Sequence, residues 1–359
     1  MKAASESVVS QRIGVLVPCR NEAEVIGRKL ANLASCHWSA GEHRVVVVDD
    51  GSTDDTSALA EAAAGELRQR GILVSVVTNN VRPGKPGAIR QGLLELGDSV
   101  DLIVLTDADV LVEEHALTAL AAEFDARPKL ALACGAQRFV EDLPASGCAR
   151  LSVLGARADS ASLYDRLTAR ARGFESYFGR LFSVHGQWLG WRRKLALEPS
   201  TGIAADDLDL MLQLRARGTQ HEIRYVPGAL FFECKVPPGP AADEQALRRA
   251  RAYLQVLRAS PKPRGGPFGR LQWLAYRSLP AAVVALPVAF CLLVGGLLTA
   301  GALGSTLALW WALVLLVCAA LVFVLPGGFQ LVGLFGVVLR ATRLERTSTL
   351  PEQWEMLRR

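Results

Sequence analysis

Short apolar runs alternate with amphipathic stretches through the first third of the chain. Runs without charged residues are typical of parallel strands that are buried on both faces of a sheet. The runs are Ile13–Pro18, Val45–Val48, Ile72–Val77 and Leu102–Leu105, and a fifth follows at Leu130–Cys134. Apolar residues at helical spacing between Val25 and Leu33 predict an intervening helix. Strands that alternate with helices predict a mostly parallel, doubly wound α/β sheet.

Polar residues follow three of these strands where each strand ends. They are Arg20 to Glu22 after the first strand, Asp49 and Asp50 after the second, and Asp107 and Asp109 after the fourth. The carboxyl ends of parallel strands share one edge of a sheet, and ligands bind outside that edge, so we expect these groups to lie close together. A solvated turn would explain the D-A-D sequence alone, but the coincidence of three clusters favours a ligand site.

The two aspartates of the D-A-D sequence indicate which ligand such a site would hold. Asp107 and Asp109 have no His or Cys beside them, so the site offers oxygen donors only. Carboxylate oxygens suit Mg²⁺ or Mn²⁺ bound to a phosphorylated substrate. The sequence therefore predicts a divalent cation as cofactor.

Composition narrows the class of protein. The net charge of +5 is too small to indicate nucleic acid as a partner, and the seven cysteines form no C-x-x-C pair. Scattered cysteines of this kind are typical of a reducing compartment and argue against structural zinc. Residues 1–12 contain no apolar core, so we expect no signal peptide. The first strand is followed by no G-x-G-x-x-G, and no P-loop motif occurs.

The C-terminal part of the chain is uncharged over a long stretch. From Ser278 to Leu339 there is no Asp, Glu, Lys or Arg, which leaves room for two spanning helices of about 20 residues each. We expect spans near Pro280–Leu303 and Thr306–Leu325. Residues 333–339 are too short to span alone, so they either lie in the interface or complete a third span. The alternative is a buried helical hairpin, but such cores rarely stay uncharged over this length.

Arginines flank this stretch on both sides and predict its orientation. They are Arg264, Arg270 and Arg277 before it and Arg340, Arg343 and Arg346 after it. Because positive charge collects on the cytoplasmic side, an even number of spans would place both flanks in the cytoplasm. We therefore expect an integral protein of the cell inner membrane whose soluble part is cytoplasmic.

Four motifs between Ile13 and Asp109 resemble those of the family 2 glycosyltransferases in order and spacing. They are V-P-C-R-N-E, V-V-V-D-D-G-S-T-D-D-T, G-K-P-G-A-I-R-Q-G-L and T-D-A-D. The resemblance implies a glycosyltransferase-A fold and a nucleotide-diphosphate sugar as donor, with a UDP-sugar as the usual one.

The resemblance also implies roles for single residues at the donor's nucleotide. Asp50 would contact the base or the ribose, and Pro18, Arg20 and Glu22 would line the same pocket.

At the donor's sugar and diphosphate, the resemblance implies that Asp107 lies near the sugar or ribose. Asp109, with Asp107 beside it, would hold the divalent cation on the diphosphate. Lys85 would help to bind the diphosphate, and an exposed loop lysine is the alternative. A bound cation would stabilise the negative charge that collects on the leaving group.

Residues 184–193, V-H-G-Q-W-L-G-W-R-R, resemble the acceptor-side segment of the family. Gly186 and Trp188 are therefore predicted on the acceptor side, where the rings of Trp188 and Trp191 would stack on sugar faces. For His185, an ordinary loop position is favoured over a substrate contact.

An aromatic group at helical spacing precedes that segment. It comprises Phe174, Tyr177, Phe178 and Phe182. Packing in the core is the favoured interpretation, and a surface against the membrane or a lipid-linked acceptor is the alternative.

Gly202 to Gly218 predicts a helix that Asp206 caps and Gly218 ends. Capping explains one aspartate but not three. The family carries a Glu-Asp pair here whose second member is the catalytic base, which implies that role for Asp207 and a supporting role for Asp206. Asp209 is the fallback base. A carboxylate that takes the acceptor's proton, as the hydroxyl attacks the anomeric carbon from behind, leads to inversion.

Processive members of the family carry Q-x-x-R-W in the segment that follows. This chain matches the motif at Gln245 and Arg248, but Arg249 stands in place of the tryptophan. In processive members the tryptophan stacks on the terminal sugar of the growing chain. We therefore favour transfer of one or a few sugars to a lipid-linked or saccharide acceptor presented at the membrane. For Arg248, Arg249 and Arg251, contact with the diphosphate and a basic face toward solvent or lipid headgroups both stay open.

Together these features predict an inverting, metal-dependent glycosyltransferase built from five segments. They are a polar tail (1–12), a catalytic domain (13–258), a juxtamembrane linker (259–277), a membrane region (278–340) and a basic cytoplasmic tail (341–359). The rival interpretations are a processive polysaccharide synthase, a nucleotidyltransferase and a non-catalytic membrane scaffold. The sequence leaves the sugar, the nucleotide, the acceptor and the oligomeric state open.

Overall fold

The computed structural model of the chain describes residues 11–154, 163–200, 202–234, 239–259, 266–324 and 328–347. Its strands are β1 (Ile13–Cys19), β2 (Arg44–Asp49), β3 (Leu73–Thr78), β4 (Leu102–Thr106), β5 (Leu111–Val112), β6 (Leu130–Val140), β7 (Trp188–Arg192) and β8 (Glu222–Cys234). Its helices are α1 (Ile26–Ser35), α2 (Thr56–Gln69), α3 (Lys85–Leu96), α4 (Ala116–Ala126), α5 (Leu151–Leu154), α6 (Leu163–Tyr177), α7 (Asp206–Arg217), α8 (Pro240–Ala259), α9 (Pro267–Ala302), α10 (Thr306–Val324) and α11 (Gly328–Thr347).

The eight strands form one sheet in the order β3-β2-β1-β4-β7-β6-β8-β5. The first half is parallel, as predicted, because β1 pairs with β2 and β4, and β2 pairs with β3. The second half is mixed, since β7 runs antiparallel to both β4 and β6, and β5 runs antiparallel to β8. The predicted α/β class is therefore confirmed, and the mixed half arises because β7 inserts between β4 and β6.

Both faces of the sheet are covered by helices. On β1, Val15 and Val17 pack into a core with α1, α2 and α4, whereas Leu16 packs into a second core with α3 and α7. Successive strand residues point to opposite faces, so an unbroken apolar run is what a sheet buried on two sides needs. Gly92 lets α3 approach β1 closely, because a Cβ there would lie 2.7 Å from Leu16 Cδ2.

One long apolar helix follows the sheet and α8. Within the described residues, Pro267–Ala302 is the one helix long and apolar enough to cross a membrane, with mean hydropathy 2.5 over its most apolar part. It begins inside the stretch that the sequence analysis gave to a linker. Gly304, at φ 105°, and Ser305 then turn the chain into α10, as the expected junction requires. The expected end of the second span, Leu325, lies outside the described residues.

The last helix, α11, packs against α8. Ala341 is fully buried, and the Glu345 side chain is only 5% exposed between Arg251 and Arg258 of α8. Arg251 Nε donates to Glu345 Oε1 over 2.9 Å. Residues 341–347, which the sequence analysis placed in a basic tail, therefore pack against α8, while residues 348–359 lie outside the described part.

Candidate active site

The carboxyl ends of the parallel strands meet at one edge of the sheet. Cys19 pairs with Asp49, and Asp49 with Thr78, so these strands end level. The backbone amide of Thr53 donates a hydrogen bond to Asn21 Oδ1 at 2.8 Å, and the backbone amide of Asn21 donates to Ser52 Oγ at 2.9 Å. The R-N-E and D-D-G-S-T segments are thereby cross-bonded into one platform.

Asp50 lies at the centre of this platform and is 4% exposed. Its Oδ1 accepts from Asn79 Nδ2 at 2.6 Å, and its Oδ2 accepts from the Gly84 amide at 2.7 Å. The Arg20 guanidinium is 3.8 Å from Asp50 Oδ2. Asp50 therefore fixes the loop that leads to α3, in addition to its predicted contact with the nucleotide.

The two remaining residues of the predicted nucleotide pocket are buried beside Asp50. Pro18 lies inside β1 opposite Val48, and Glu22 is 4% exposed. The Glu22 amide donates to Thr56 Oγ1 at 2.7 Å, which joins the first loop to the start of α2.

Lys85 is the first residue of α3, and its side chain is 17% exposed. Its ammonium nitrogen lies 2.5 Å from Asp107 Oδ1 and 4.0 Å from Asp206 Oδ2. Burial acts to lower the pKa of Lys85, but Asp107 and Asp206 outweigh it, so the pKa lies above its ordinary value and the group stays charged. The alternative of an exposed loop lysine is wrong.

A glycine makes the turn before Lys85's helix feasible. A Cβ on Gly87 would lie 1.8 Å from the Arg82 carbonyl oxygen, so no other residue fits without moving the backbone. The G-K-P-G sequence thus delivers Lys85 to the aspartates that follow β4.

Asp107 and Asp109 follow β4, with Asp109 exposed to solvent. Behind them lies a lysine that the sequence analysis missed. Lys29 is fully buried, and its ammonium donates to Thr106 Oγ1 at 2.7 Å and to the Val110 carbonyl at 3.1 Å. It thereby joins the two ends of the D-A-D segment. Burial lowers its pKa to about 8.

A third carboxylate, Glu233 of β8, was also missed. Burial raises its pKa to about 7, and Arg249 opposes the shift while the charges of Asp109 and Asp107 add to it. Negative charge is therefore crowded around the D-A-D segment, which is the condition that a bound cation relieves. The donors are hard oxygens, so the site fits Mg²⁺ or Mn²⁺.

These carboxylates do not form a closed cage. Within the described residues, the one trio whose ligand atoms lie within 4.8 Å of one another is Glu113, Glu114 and His115, outside the D-A-D segment. A cation at Asp107 and Asp109 would therefore need further oxygen ligands, as Mg²⁺ sites on phosphorylated substrates do.

Asp206 and Asp207 open α7 and face Lys85 from the other side. The helix begins at Asp206 itself and its cap is Ala205, so the prediction that Asp206 caps the helix is wrong. Burial raises the pKa of Asp206 to about 7, while Lys85 acts in the opposite direction. Burial also raises the pKa of Asp207. A buried carboxylate with a raised pKa is a candidate proton acceptor.

The Asp207 carboxylate is held in one orientation by backbone amides. Its Oδ1 accepts from the Leu208 amide at 2.7 Å, and the Gly186 amide donates to the carboxylate as well. A Cβ on Gly186 would lie 3.2 Å from Asp207 Oδ2, so the glycine leaves just enough room. Gly186 thus positions the predicted base, as well as lying on the predicted acceptor side.

A cavity of about 550 Å³ connects these groups. Its lining includes Lys85, Asp107, His185, Asp206 and Asp207. Asp107, a predicted ligand of the cation, and Asp207, the predicted base, therefore line the same cavity.

Asp209 has a different role from the one predicted. Its oxygens accept from the Ser200 amide at 2.7 Å, the Ser200 hydroxyl at 3.1 Å and Gln213 Nε2 at 2.9 Å. It is buried and does not line the cavity. Its use as a fallback base is wrong, because its carboxylate ties the Ser200 loop to α7.

Trp188 and Trp191 are fully buried on opposite faces of the sheet. Trp188 packs so tightly that a Cβ on Gly135 would lie 2.2 Å from its Cδ1. Neither ring has a face open to a sugar, so the predicted stacking is wrong. The alternation along β7 sends both indoles into the core instead.

The basic residues of α8 divide between two neighbours. Arg248 and Arg249 line the cavity, and Arg249 lies 3.9 Å from Glu233. Arg251 turns away to Glu345 of α11. Gln245 is partly exposed and does not line the cavity.

The aromatic group at the end of α6 and directly after it is unlike a core stripe. Phe174, Tyr177 and Phe178 are 64%, 78% and 52% exposed. Phe182 alone is buried, stacked on Tyr276 with ring centroids 3.9 Å apart. Core packing is therefore wrong for the first three rings.

The chain resembles known proteins in sequence and in fold. Residues 14–192 match the model of glycosyl transferase family 2. Two relatives are poly-beta-1,6-N-acetyl-D-glucosamine synthases. The one from Staphylococcus aureus strain COL is 24% identical over 248 residues, covering 68% of this chain and 55% of its own, and the one from Staphylococcus epidermidis is 23% identical over 257 residues, covering 70% and 57%. The chain thus spans about half the length of these curated relatives.

Among solved structures, one shares the fold over nearly the whole chain. It is the mannosyltransferase PcManGT from Pyrobaculum calidifontis, solved in complex with GDP-Man and Mn²⁺. The TM-score is 0.68 at 22% identity, with 94% of this chain and 87% of that chain covered. Residues 14–192 therefore belong to glycosyl transferase family 2, and the chain shares the fold of that mannosyltransferase.

Proposed function

We propose that this protein is a membrane-anchored glycosyltransferase that depends on a divalent cation and transfers a sugar with inversion from a nucleoside-diphosphate sugar to a lipid-linked acceptor at the membrane. One observation carries the proposal: a single cavity joins the Lys85–Asp107 pair to the buried pair Asp206 and Asp207. Residues 13–258 would form the catalytic domain, and residues 278–340 the membrane region.

The donor would lie along the edge of the sheet. Asp50, Pro18, Arg20 and Glu22 are proposed to receive the nucleotide, since they cluster beside the first loops. Asp107 and Asp109 would hold Mg²⁺ or Mn²⁺. When bound, the cation would supply positive charge to the leaving diphosphate. The Lys85 ammonium, held by Asp107, would add a second fixed positive charge there.

Asp207 would take the acceptor's proton. The acceptor oxygen forms a bond to the anomeric carbon while the bond from that carbon to the diphosphate oxygen breaks. The electron pair leaves with the diphosphate, and the proton passes to Asp207. Attack from the side opposite the leaving group inverts the configuration. Burial favours this role, because it raises the pKa of Asp207 toward that of an effective base.

The apolar helix α9 supports presentation of the acceptor at a membrane. It follows α8, part of which lines the cavity, so a lipid-linked acceptor would approach from the same side. Arginines on both flanks of residues 278–339 favour a cytoplasmic catalytic domain in the inner membrane, where nucleotide sugars are available.

A processive polysaccharide synthase is the second candidate. The names of the staphylococcal relatives favour it. Arg249 lines the cavity in the place of the tryptophan of processive members, which favours transfer of one or a few sugars instead.

Nucleotide release by the purified full-length protein in detergent tests the proposal. The protein would meet a panel of UDP-, GDP- and dTDP-sugars with Mn²⁺ and a membrane lipid extract. We expect release with one donor, lost on chelation and in Asp109→Ala, but kept in Asp98→Ala, which removes an exposed carboxylate. No release from any donor by folded protein would contradict the proposal and favour a scaffold.

A further inference from the structure

Three arginines of the cavity have no part in the proposed transfer chemistry. Arg138 comes from β6, and Arg166 and Arg172 come from α6. In the described part of the chain, no carboxylate lies within ion-pair distance of any of them. The Nε of Arg172 is buried there without a hydrogen-bond partner. Arg138 and Arg166 are exposed at the wall of the cavity, whereas Arg172 is half-buried, and a guanidinium that loses contact with water is normally matched by a carboxylate.

One of these arginines, Arg172, lies near the segment that holds the proposed base. Burial lowers the pKa of His185, and the charges of Arg172 and Arg249 lower it further, so Arg172 lies near that ring. His185 directly precedes Gly186, whose amide holds Asp207. The ring Nε2 of His185 is also buried without a partner. The cavity beside Asp207 is therefore lined by two buried polar atoms that have no hydrogen-bond partner in the protein, as is typical of a ligand site.

The balance of charge indicates the sign of that ligand. The lining holds six cations and four carboxylates: Lys85, Arg138, Arg166, Arg172, Arg248 and Arg249 against Asp107, Asp165, Asp206 and Asp207. Lys85 is matched by Asp107 and Asp206 at the donor end. On the other side, burial and the charge of Arg249 lower the pKa of Arg248 against the charges of Asp107, Glu244 and Asp109, so these two arginines repel each other. An anion would relieve this repulsion.

The guanidinium fork donates two parallel hydrogen bonds and suits phosphate and carboxylate alike. Phosphate fits three arginines better, because it presents three oxygens and carries up to about two negative charges. We propose that Arg138, Arg166 and Arg172 bind a phosphate group of the acceptor, whose hydroxyl then reaches Asp207. This inference rests on the proposed function and names its acceptor class. The phosphate belongs either to a lipid headgroup or to a soluble phosphorylated compound.

Binding to the full-length protein, measured by calorimetry without any donor, tests the inference. The soluble probe is glycerol 3-phosphate. Glycerol is its matched control without charge, and succinate is its matched control with carboxylates in place of the phosphate. The lipid probe is phosphatidic acid in micelles, with diacylglycerol as its match. Binding of either phosphate probe, well above its matches, is expected. A response to phosphatidic acid alone identifies a lipid headgroup, and a response to glycerol 3-phosphate alone identifies a soluble acceptor.

Variants locate the binding. Arg172→Gln and Arg166→Gln should each weaken phosphate binding at least about tenfold, the loss typical of one charged hydrogen bond. Arg172→Lys keeps the positive charge but loses the two parallel donors of the guanidinium. Its affinity for phosphate should lie between those of the wild type and Arg172→Gln. Arg68→Gln removes an exposed arginine that pairs with Glu61 on α2, and should change nothing. An unchanged melting temperature verifies that each variant is folded.

The inference is overturned if glycerol 3-phosphate and phosphatidic acid bind no better than their matches. It is also overturned if succinate binds equally well, or if phosphate binding persists in both glutamine variants. None of these readouts uses a nucleotide sugar. Phosphate binding that depends on Arg172, together with silence in nucleotide release, would contradict the proposed function and leave the anion site standing.

Discussion

Lys85 and Asp107 form a short ion pair, with 2.5 Å between Nζ and Oδ1, although they are brought together from the start of α3 and from the residues that follow β4. The same ammonium is 4.0 Å from Asp206. One lysine therefore links the proposed donor end of the cavity to the proposed acceptor end. Changes to this lysine, or to the aspartates around it, should alter the rate of transfer.

Replacing Lys85 by Met should slow transfer strongly. It removes the fixed positive charge beside the leaving diphosphate, and the loss of one such electrostatic group typically costs about 10²-fold in kcat. Steady-state kinetics with the identified donor measure the effect. Lys129→Met, at an exposed lysine, is the control. Equal kcat values for the two variants would contradict the role given to Lys85.

Gly186→Ala should reduce transfer without harming the fold. The new Cβ would lie 3.2 Å from Asp207 Oδ2 and would displace that carboxylate by a few tenths of an ångström. Small misplacements of a reacting group cost up to about 10²-fold. Gly65→Ala is the matched control, because a Cβ there meets nothing within 4 Å. If kcat is unchanged in Gly186→Ala, Asp207 is not the group whose position matters.

Asp209→Ala should lower stability more than catalysis. The change leaves the Ser200 amide and the Ser200 hydroxyl without their acceptor and removes one of the acceptors of Gln213, at a cost of about 1–3 kcal/mol for buried groups. Thermal unfolding in detergent measures the loss, with Asp98→Ala as an exposed control. A variant of normal stability that has lost transfer would return Asp209 to the catalytic group.

The pH dependence of kcat should show an acidic limb above the usual range of a carboxylic acid. Burial raises the pKa of Asp207 and brings that of Asp206 to about 7. The base must be ionised, so a raised pKa means that activity rises with pH and is lost as pH falls through it. Rates at saturating donor between about pH 5 and pH 9 measure the limb. A rate that stays flat down to about pH 4.5 would contradict a buried base.

Local sequence patterns predicted the parallel half of the sheet well. The run from Leu102 to Leu105 is apolar at every position, and a strand buried on both faces is the structure that accommodates it. The aspartates that follow such strands must then share an edge, which is why the sequence alone groups Asp50 with Asp107.

The second half depends on contacts between distant segments, which leave little local signal. The sequence around Trp188 suggests a ring that stacks on a sugar. In the structure the ring is buried, because β7 inserts between β4 and β6. Glu233 reaches the D-A-D segment only because β8 pairs with β5. The sequence contains one indication that Lys29 is buried. Lys29 lies one turn after Ile26 and one turn before Leu33, on the apolar side of α1 that faces the core.

The cavity arginines show the same limit. Arg138 and Arg172 lie in separate elements, and neither belongs to one of the family's motifs. Their shared position follows from packing of α6 against β8, the partner strand of β6, which no local pattern specifies.

The central claim is that Asp207 accepts the acceptor's proton in a site that binds the donor independently. Transfer and donor affinity in Asp207→Asn, measured on the same purified protein, test it most directly. The account predicts that transfer falls by at least about 10²-fold while donor affinity changes by less than about twofold. Transfer near the wild-type rate, or a loss of donor binding that matches the loss of transfer, would contradict it.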